Sequence, residues 1–106
     1  MMSLQDSNIL QQFAALVRSA CGPAEIRAFG SRARGNADPE SDMDVCVVLE
    51  RLDEAIDRRV MRLAWEVGFQ NGIVLSTVTY SRDEFAKGPC AASPLVRTII
   101  REGVAV

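Results

Sequence analysis

Two neighbouring stretches decide the fold: Phe29-Gly30-Ser31-Arg32-Ala33-Arg34-Gly35 and Ser41-Asp42-Met43-Asp44-Val45-Cys46-Val47-Val48-Leu49. In the first, a glycine and a serine directly follow a short strand predicted over residues 25–29. In the second, a strand predicted from Met43 to Leu49 is apolar on both faces except at its beginning, as expected of an interior strand covered on both sides. The residues between them contain Gly, Asn, Asp and Pro without an apolar period, which indicates a turn of helix followed by a loop.

Working outward, amphipathic helices are predicted on both sides of these strands. The first runs from Ser7 to Cys21-Gly22-Pro23, and its apolar residues recur at three- and four-residue spacing: Ile9, Phe13, Leu16, Val17 and Ala20. The second follows a capping Asp53 and ends at Asn71-Gly72, with the stripe Ile56, Val60, Leu63 and Val67. Each helix therefore has one apolar face with which to cover the sheet.

The rest of the chain predicts one more strand and a final helix. Ile73 to Tyr80 is rich in β-branched and aromatic residues, which favours a third strand. Ser81 begins a capping box, and Ser93-Pro94 begins a helix that ends at Gly103. The predicted fold is a single domain over residues 1–106, of the α/β (α+β) class, with helices on a small mixed sheet of about three strands. Its open edges favour a partner or a homo-oligomer.

Composition excludes several kinds of chemistry. The 106 residues contain no histidine, so Ser-His-Asp triads, Cys-His nucleophiles and His-ligated zinc are excluded within the chain. The 12 Lys and Arg against 14 Asp and Glu give a net charge of −2, which speaks against nucleic-acid binding through bulk charge. Three cysteines without a C-x-x-C spacing predict reduced thiols. With no signal peptide and no long apolar run, we expect a cytoplasmic protein without a membrane span.

Gly30 and Ser31 are candidate phosphate-binding residues. A glycine after a strand lets the backbone approach a bulky ligand, and the serine hydroxyl with nearby amides can donate to phosphate oxygens. The same two residues would also suit a tight turn with a capping serine. Arg32 and Arg34 flank this point, where solvated side chains are the default expectation. At most one of them should reach a substrate, and Arg34 is the candidate.

Asp42 and Asp44 are candidate catalytic and metal-binding residues. They lie two positions apart at the beginning of a strand, so strand alternation places both carboxylates on one face. Alone, the pair would also suit an exposed strand entry in which Ser41-Asp42 serves the turn. Beside a phosphate site, oxygen ligands select a hard cation, Mg²⁺ or Mn²⁺. Together with the preceding glycine, the two acids are what metal-assisted attack on a nucleoside triphosphate requires.

The two-part pattern Gly30-Ser31-Arg32-Ala33-Arg34-Gly35 and Ser41-Asp42-Met43-Asp44 resembles the G-S-x-A-x-G and S-D-x-D signature of the minimal nucleotidyltransferases, in the DNA polymerase beta superfamily. The resemblance implies that Gly30 and Ser31 hold the triphosphate of an NTP, ATP first among them, and that Asp42 and Asp44 bind Mg²⁺. It implies transfer of a nucleoside monophosphate to a hydroxyl acceptor. It also implies a helical HEPN-type protein partner, in a toxin and antitoxin pair.

The sequence departs from that family at one position. Active members usually add a third carboxylate from the next strand, whereas this chain has no acidic residue between Glu66 and Asp83. Ser76 is the expected counterpart, and a serine supplies neither charge nor a competent base at neutral pH. Glu50 leaves the second strand at its far end and is a poor substitute. Two hypotheses follow: a nucleotidyltransferase, or a weakly active or inactive antitoxin-like subunit that neutralises a helical partner.

Two aromatic residues do not align with the main stripe of the second long helix. Trp65 and Phe69 fall outside the positions expected to face the core. Packing at the rim and an interface patch are both open interpretations, with the interface slightly favoured.

Overall fold

The computed structural model describes the backbone of residues 1–106 and the side chains of residues 1–88 and 91–106. N-cap residues mark where four of its helices begin: the side chains before α1, α3, α4 and α5 accept hydrogen bonds from amides of the first turn. The elements in chain order are α1 (Leu4–Cys21), β1 (Ala24–Phe29), α2 (Gly30–Arg34), β2 (Met43–Leu49), α3 (Glu54–Asn71), β3 (Leu75–Ser81), α4 (Arg82–Ala86), a 3₁₀ turn (Pro89–Ala92), α5 (Pro94–Glu102) and β4 (Val104–Ala105).

The four strands form one mixed sheet in the order β3-β2-β1-β4. β1 pairs antiparallel with both β2 and β4, while β2 and β3 are parallel. The parallel pair is joined by α3, the crossover helix that such a pair requires. β3 and β4 are the edge strands, and the acid-bearing strand β2 lies inside the sheet.

Each face of the sheet has its own apolar cluster. α1 and α3 cover one face, where Met43, Val45, Val47 and Leu49 of β2 are buried. α4 and α5 cover part of the other face, where Cys46 and Val48 pack with Phe85, Val96 and Ile99. The interior strand is therefore apolar on both faces, as its sequence predicted. Asp44 has the same alternation parity as Cys46 and Val48, so it lies on the α4 and α5 face.

The fold class is confirmed, with a sheet one strand larger than expected. β4 has two residues and pairs only with Arg27 and Ala28, so it is too short to produce a recognisable alternation. α1 begins at Leu4 rather than Ser7, because Ser3 is its N-cap and accepts from the Asp6 amide. The predicted bounds of β2, the Asp53 cap and the Ser81 capping box are confirmed. No helix among the described residues has the length and apolarity to cross a bilayer.

Candidate functional site

Gly30 occupies a sharp corner between β1 and α2. Phe29 is extended, whereas Gly30 has φ +77°, a left-handed value that disfavours residues with a Cβ. A Cβ at this position would also lie 2.5 Å from Oδ2 of Asp44. The corner formed by Gly30 and Ser31, called the elbow below, therefore requires glycine both for its backbone angle and for the space that the carboxylate occupies.

Asp42 and Asp44, the acid pair, lie at the beginning of β2. Asp44 is the second residue of β2 and is the register partner of Phe29, which brings its carboxylate against the elbow on the neighbouring strand. Asp42 immediately precedes β2 and is exposed, while Asp44 is half-buried. The antiparallel pairing of β1 with β2 thus joins the two halves of the sequence signature at one end of the sheet.

The electrostatics of the acid pair favour a bound cation. Partial burial raises the pKa of Asp44, and the nearby negative charge of Asp42 raises it further. Neither carboxylate has an ion-pair or hydrogen-bond partner among the described side chains. Two unneutralised carboxylates repel each other, so a divalent cation between them would relieve a cost that the chain does not relieve by itself.

The residues present fit a magnesium ion bound together with a ligand. The described residues contain no cluster of three or more His, Cys, Asp or Glu able to hold a metal ion alone. Mg²⁺ in phosphate-transfer sites commonly uses only one or two carboxylates, with phosphate oxygens and water completing its coordination. The acid pair supplies that number of hard oxygen ligands, and the elbow lies beside it.

Ser76, the expected counterpart of a third carboxylate, lies beside Asp44 in the sheet. Ser76 is the register partner of Asp44 on the parallel strand β3, so their side chains lie on the same face of adjacent strands. Ser76 is exposed. Glu50 follows the opposite end of β2, where it forms an ion pair with Arg82 at 3.0 Å. The structure therefore brings no third acid beside the acid pair in the described part of the chain.

Arg32 differs from the expectation of a solvated side chain. It is only 9% exposed, and its guanidinium donates to both carboxylate oxygens of Asp6, at 3.0 and 3.1 Å. It also donates to the carbonyl oxygens of Pro39 at 2.8 Å and Ser41 at 2.7 Å. The expectation of a solvated Arg32 was wrong because the loop before Asp42 folds back over α2 and brings two carbonyls to this side chain, while α1 brings a buried acid. Arg32 therefore joins α1, α2 and that loop.

Arg34, the residue that we assigned to the nucleotide, is exposed at the end of α2. Its guanidinium forms an ion pair of 3.4 Å with Glu102 at the end of α5. Contact with a nucleotide would compete with this exposed pair, which is weak enough to exchange. The role of Arg34 in nucleotide binding stays a prediction.

Cys46 follows Asp44 by one alternation on the same face and is fully buried. Burial is the main reason that its pKa is raised to about 12, with smaller opposing effects from Arg27 and Glu25. Its thiol is therefore un-ionised near neutral pH and packs as a small core residue, as its sequence context predicted.

Comparison with known proteins gives this geometry a family. The model of the family described as "Nucleotidyltransferase domain" matches residues 7–106, nearly the whole chain. This chain belongs to the nucleotidyltransferase domain family. A solved structure described as "putative minimal nucleotidyltransferase" is similar to it, with a TM-score of 0.62 and 25% sequence identity, over 100% of this chain and 97% of the other. The curated proteins contain no match.

The family assignment confirms the nucleotidyltransferase part of the resemblance found from the two sequence motifs, and it supports nucleotidyl transfer as the general activity. Sequence reasoning missed the role of Arg32. One signal was available, since Arg32 is a long cation flanked by residues of a short helix, and Asp6 is an acid near the beginning of an amphipathic helix. Only the fold shows that these two residues, 26 positions apart, meet in the interior.

The contact between Gly30 and Asp44 predicts an unequal effect of two glycine substitutions. Gly30→Ala should lower the free energy of unfolding by about 1–3 kcal/mol from backbone strain, with an added cost from the clash with Asp44. Gly72→Ala is the matched control, because Gly72 also has positive φ but a Cβ there would meet nothing within 4 Å. Urea denaturation should show the larger loss for Gly30→Ala. Two results would contradict a clash between position 30 and Asp44: equal losses of stability in the two variants, or a larger loss for Gly30→Ala that persists when Asp44 is replaced by alanine.

Proposed function

We propose that this chain is a metal-dependent nucleotidyltransferase that moves a nucleoside monophosphate from an NTP, ATP in the first instance, to a hydroxyl acceptor, which includes a side chain of a partner protein. One observation carries the proposal: the carboxylate of Asp44 lies against Gly30. The phosphate-binding candidates and the metal-binding candidates thus form one continuous site, as transfer from a metal-bound triphosphate requires.

In the proposed reaction, the acceptor oxygen bonds to the α-phosphorus while the bond from that phosphorus to the oxygen bridging to the β-phosphate breaks. Pyrophosphate leaves, and the acceptor proton passes to water or to a base on the acceptor. A divalent cation, when bound, supplies positive charge to the phosphate oxygens and the attacking oxygen. Asp42 and Asp44 would hold that cation. Gly30 and Ser31 would let the triphosphate approach the backbone, where its oxygens would accept hydrogen bonds from backbone amides and the serine hydroxyl.

The test is binding of Mg-ATP to the purified chain, measured by calorimetry, followed by transfer of label from α-labelled ATP. The Asp42→Asn and Asp44→Asn double variant should bind Mg-ATP roughly a hundredfold more weakly and transfer no label. Glu50→Gln is the matched control, since it removes one carboxylate from the far end of the same strand. Unchanged Mg-ATP affinity in the double variant would refute the assignment of the acid pair.

A second candidate function is favoured by one observation, the serine that stands beside Asp44 where a third carboxylate would complete the site. This candidate is a weakly active or inactive antitoxin-like subunit that binds a helical HEPN-type partner. Incubation with α-labelled ATP, Mg²⁺ and the protein encoded by the neighbouring reading frame separates the two candidates. Transfer of label to that protein supports the enzyme, whereas a tight complex without transfer supports the binding subunit.

A further inference from the structure

A groove of about 1000 Å³ lies between α3, the edge strand β3 and the loop before β2. We call it the edge groove. Its apolar wall includes four strongly exposed side chains: Met61 (55%), Trp65 (66%), Phe69 (75%) and Val74 (59%). The rings of Trp65 and Phe69 are stacked with centroids 5.2 Å apart. Large apolar side chains gathered on one surface are typical of an interaction site, whereas scattered ones are ordinary.

The sequence of α3 produces this surface with a second helical stripe. The stripe that includes Val60, Ala64 and Val67 is buried against the sheet. Asp57, Met61, Trp65 and Phe69 follow one another at intervals of four residues, and they line the groove instead. The exposure of Trp65 and Phe69 therefore favours an interface patch over packing at the rim of the core.

The floor of the edge groove offers a strand that is paired on one side only. β3 stands at the end of the strand order, and β2 is its one strand partner among the described residues. Its residues 75–81 contain no charge and no proline, two of the features that protect a free edge from pairing with another chain. An extended segment could therefore add to β3 with backbone hydrogen bonds, while its alternate side chains meet the apolar wall.

The charges of the groove select the partner. Three acids line it and no Lys or Arg does among the described residues: Glu40 and Asp42 at the end where β3 begins, and Asp57 toward the other end, where Thr79 Oγ1 donates to Asp57 Oδ1 at 2.5 Å. The apolar side chains of α3 lie between these ends. A second copy of the chain would bring the same acids to the contact, whereas a segment with basic residues at its ends would neutralise them.

We propose that the edge groove binds a partner protein through an extended segment that pairs with β3, with apolar residues at its centre and Lys or Arg at both ends. The proposal does not rest on nucleotidyl transfer, because the exposed apolar side chains of α3 and the edge of β3 carry it; Asp42 is shared with the acid pair, and Glu40 is the other acid at that end of the groove. Asp42 and Ser76 do line it, so the bound segment lies beside the acid pair. A partner held there would present its neighbouring residues to the site.

The test selects peptides of nine residues from a random displayed library on the full chain. The selected peptides should have apolar centres with Lys or Arg at the ends, and the Trp65→Ser and Phe69→Ser double variant should bind them roughly thirtyfold more weakly. Ile100→Ser is the matched control. Ile100 is also an exposed apolar side chain, at 55%, but it lies on α5 and outside the groove. Thermal unfolding of all variants checks that each is folded.

Two further measurements test the mode of binding. Asp57→Asn keeps an oxygen that can accept from Thr79 and should weaken binding a few-fold while reducing its dependence on salt. Hydrogen exchange of β3 amides should slow when the peptide binds. Selected peptides that are acidic, that bind the double variant equally well or that leave β3 exchange unchanged would overturn the proposal. Self-association of the wild-type chain that the double variant loses would assign the groove to a second copy instead.

Discussion

Ser76→Asp is expected to raise the rate of nucleotidyl transfer by roughly two to four powers of ten, the usual contribution of a positioned general base. The strand register carries this expectation, because position 76 is directly opposite Asp44 on the parallel strand and its side chain lies on the same face. An aspartate there would add a third oxygen ligand to the acid pair and could accept the acceptor proton. Position 76 is exposed, so the new carboxylate requires no buried space.

The measurement is label transfer from α-labelled ATP, with thermal unfolding recorded at increasing Mg²⁺. Without metal, the third negative charge should lower the stability of the Ser76→Asp chain; with Mg²⁺, its unfolding temperature should rise more than that of the wild type. Ser76→Asn controls for side-chain shape without charge. Thr77→Asp adds the same charge to the same strand but on the opposite face. A gain in Thr77→Asp equal to that in Ser76→Asp would show that strand position does not matter.

The sequence predicted the features that depend on neighbouring residues. Strand β2 was predicted with its observed bounds because a short run of apolar residues between a polar loop and Glu50 is typical of an interior strand. The helix caps at Asp53, Ser81 and Ser93 depend on contacts across three residues, which sequence spacing encodes directly. Ser76 was expected to be the counterpart of a third carboxylate from the family resemblance alone, and its register opposite Asp44 is visible only in the structure.

Features that depend on distant residues could not be predicted in this way. β4 exists because the chain after α5 returns to β1, and two residues contain no periodic signal. The edge groove requires α3 and β3 to be packed at a particular offset, although the misaligned Trp65 and Phe69 indicated part of it. The surroundings of Arg32 combine a helix 26 residues away with a loop whose path no motif specifies. Long-range packing, rather than local propensity, decides each of these cases.

The second large effect is expected from Arg32→Ala, which should lower the free energy of unfolding by about 3–5 kcal/mol. The substitution leaves the Asp6 carboxylate, in a residue only 8% exposed, without its cation. It also removes the donors to the carbonyls of Pro39 and Ser41. A domain of this size is typically stable by about 5–15 kcal/mol, so the loss is a large fraction of the total. Urea denaturation measures it, and Arg34→Ala on the exposed side of the same helix is the matched control.

A double variant separates the stability of the domain from the placement of the acid pair. Asp6→Leu with Arg32→Met removes both buried charges, and apolar replacements of a buried pair commonly recover most of the stability. The carbonyls of Pro39 and Ser41 would still lack their donor, and Ser41 is the residue before Asp42. Mg-ATP binding should therefore stay roughly tenfold weaker than in the wild type although the domain is stable. Recovery of both properties together would mean that Arg32 contributes only stability, because a loop held by packing alone would then place Asp42 equally well.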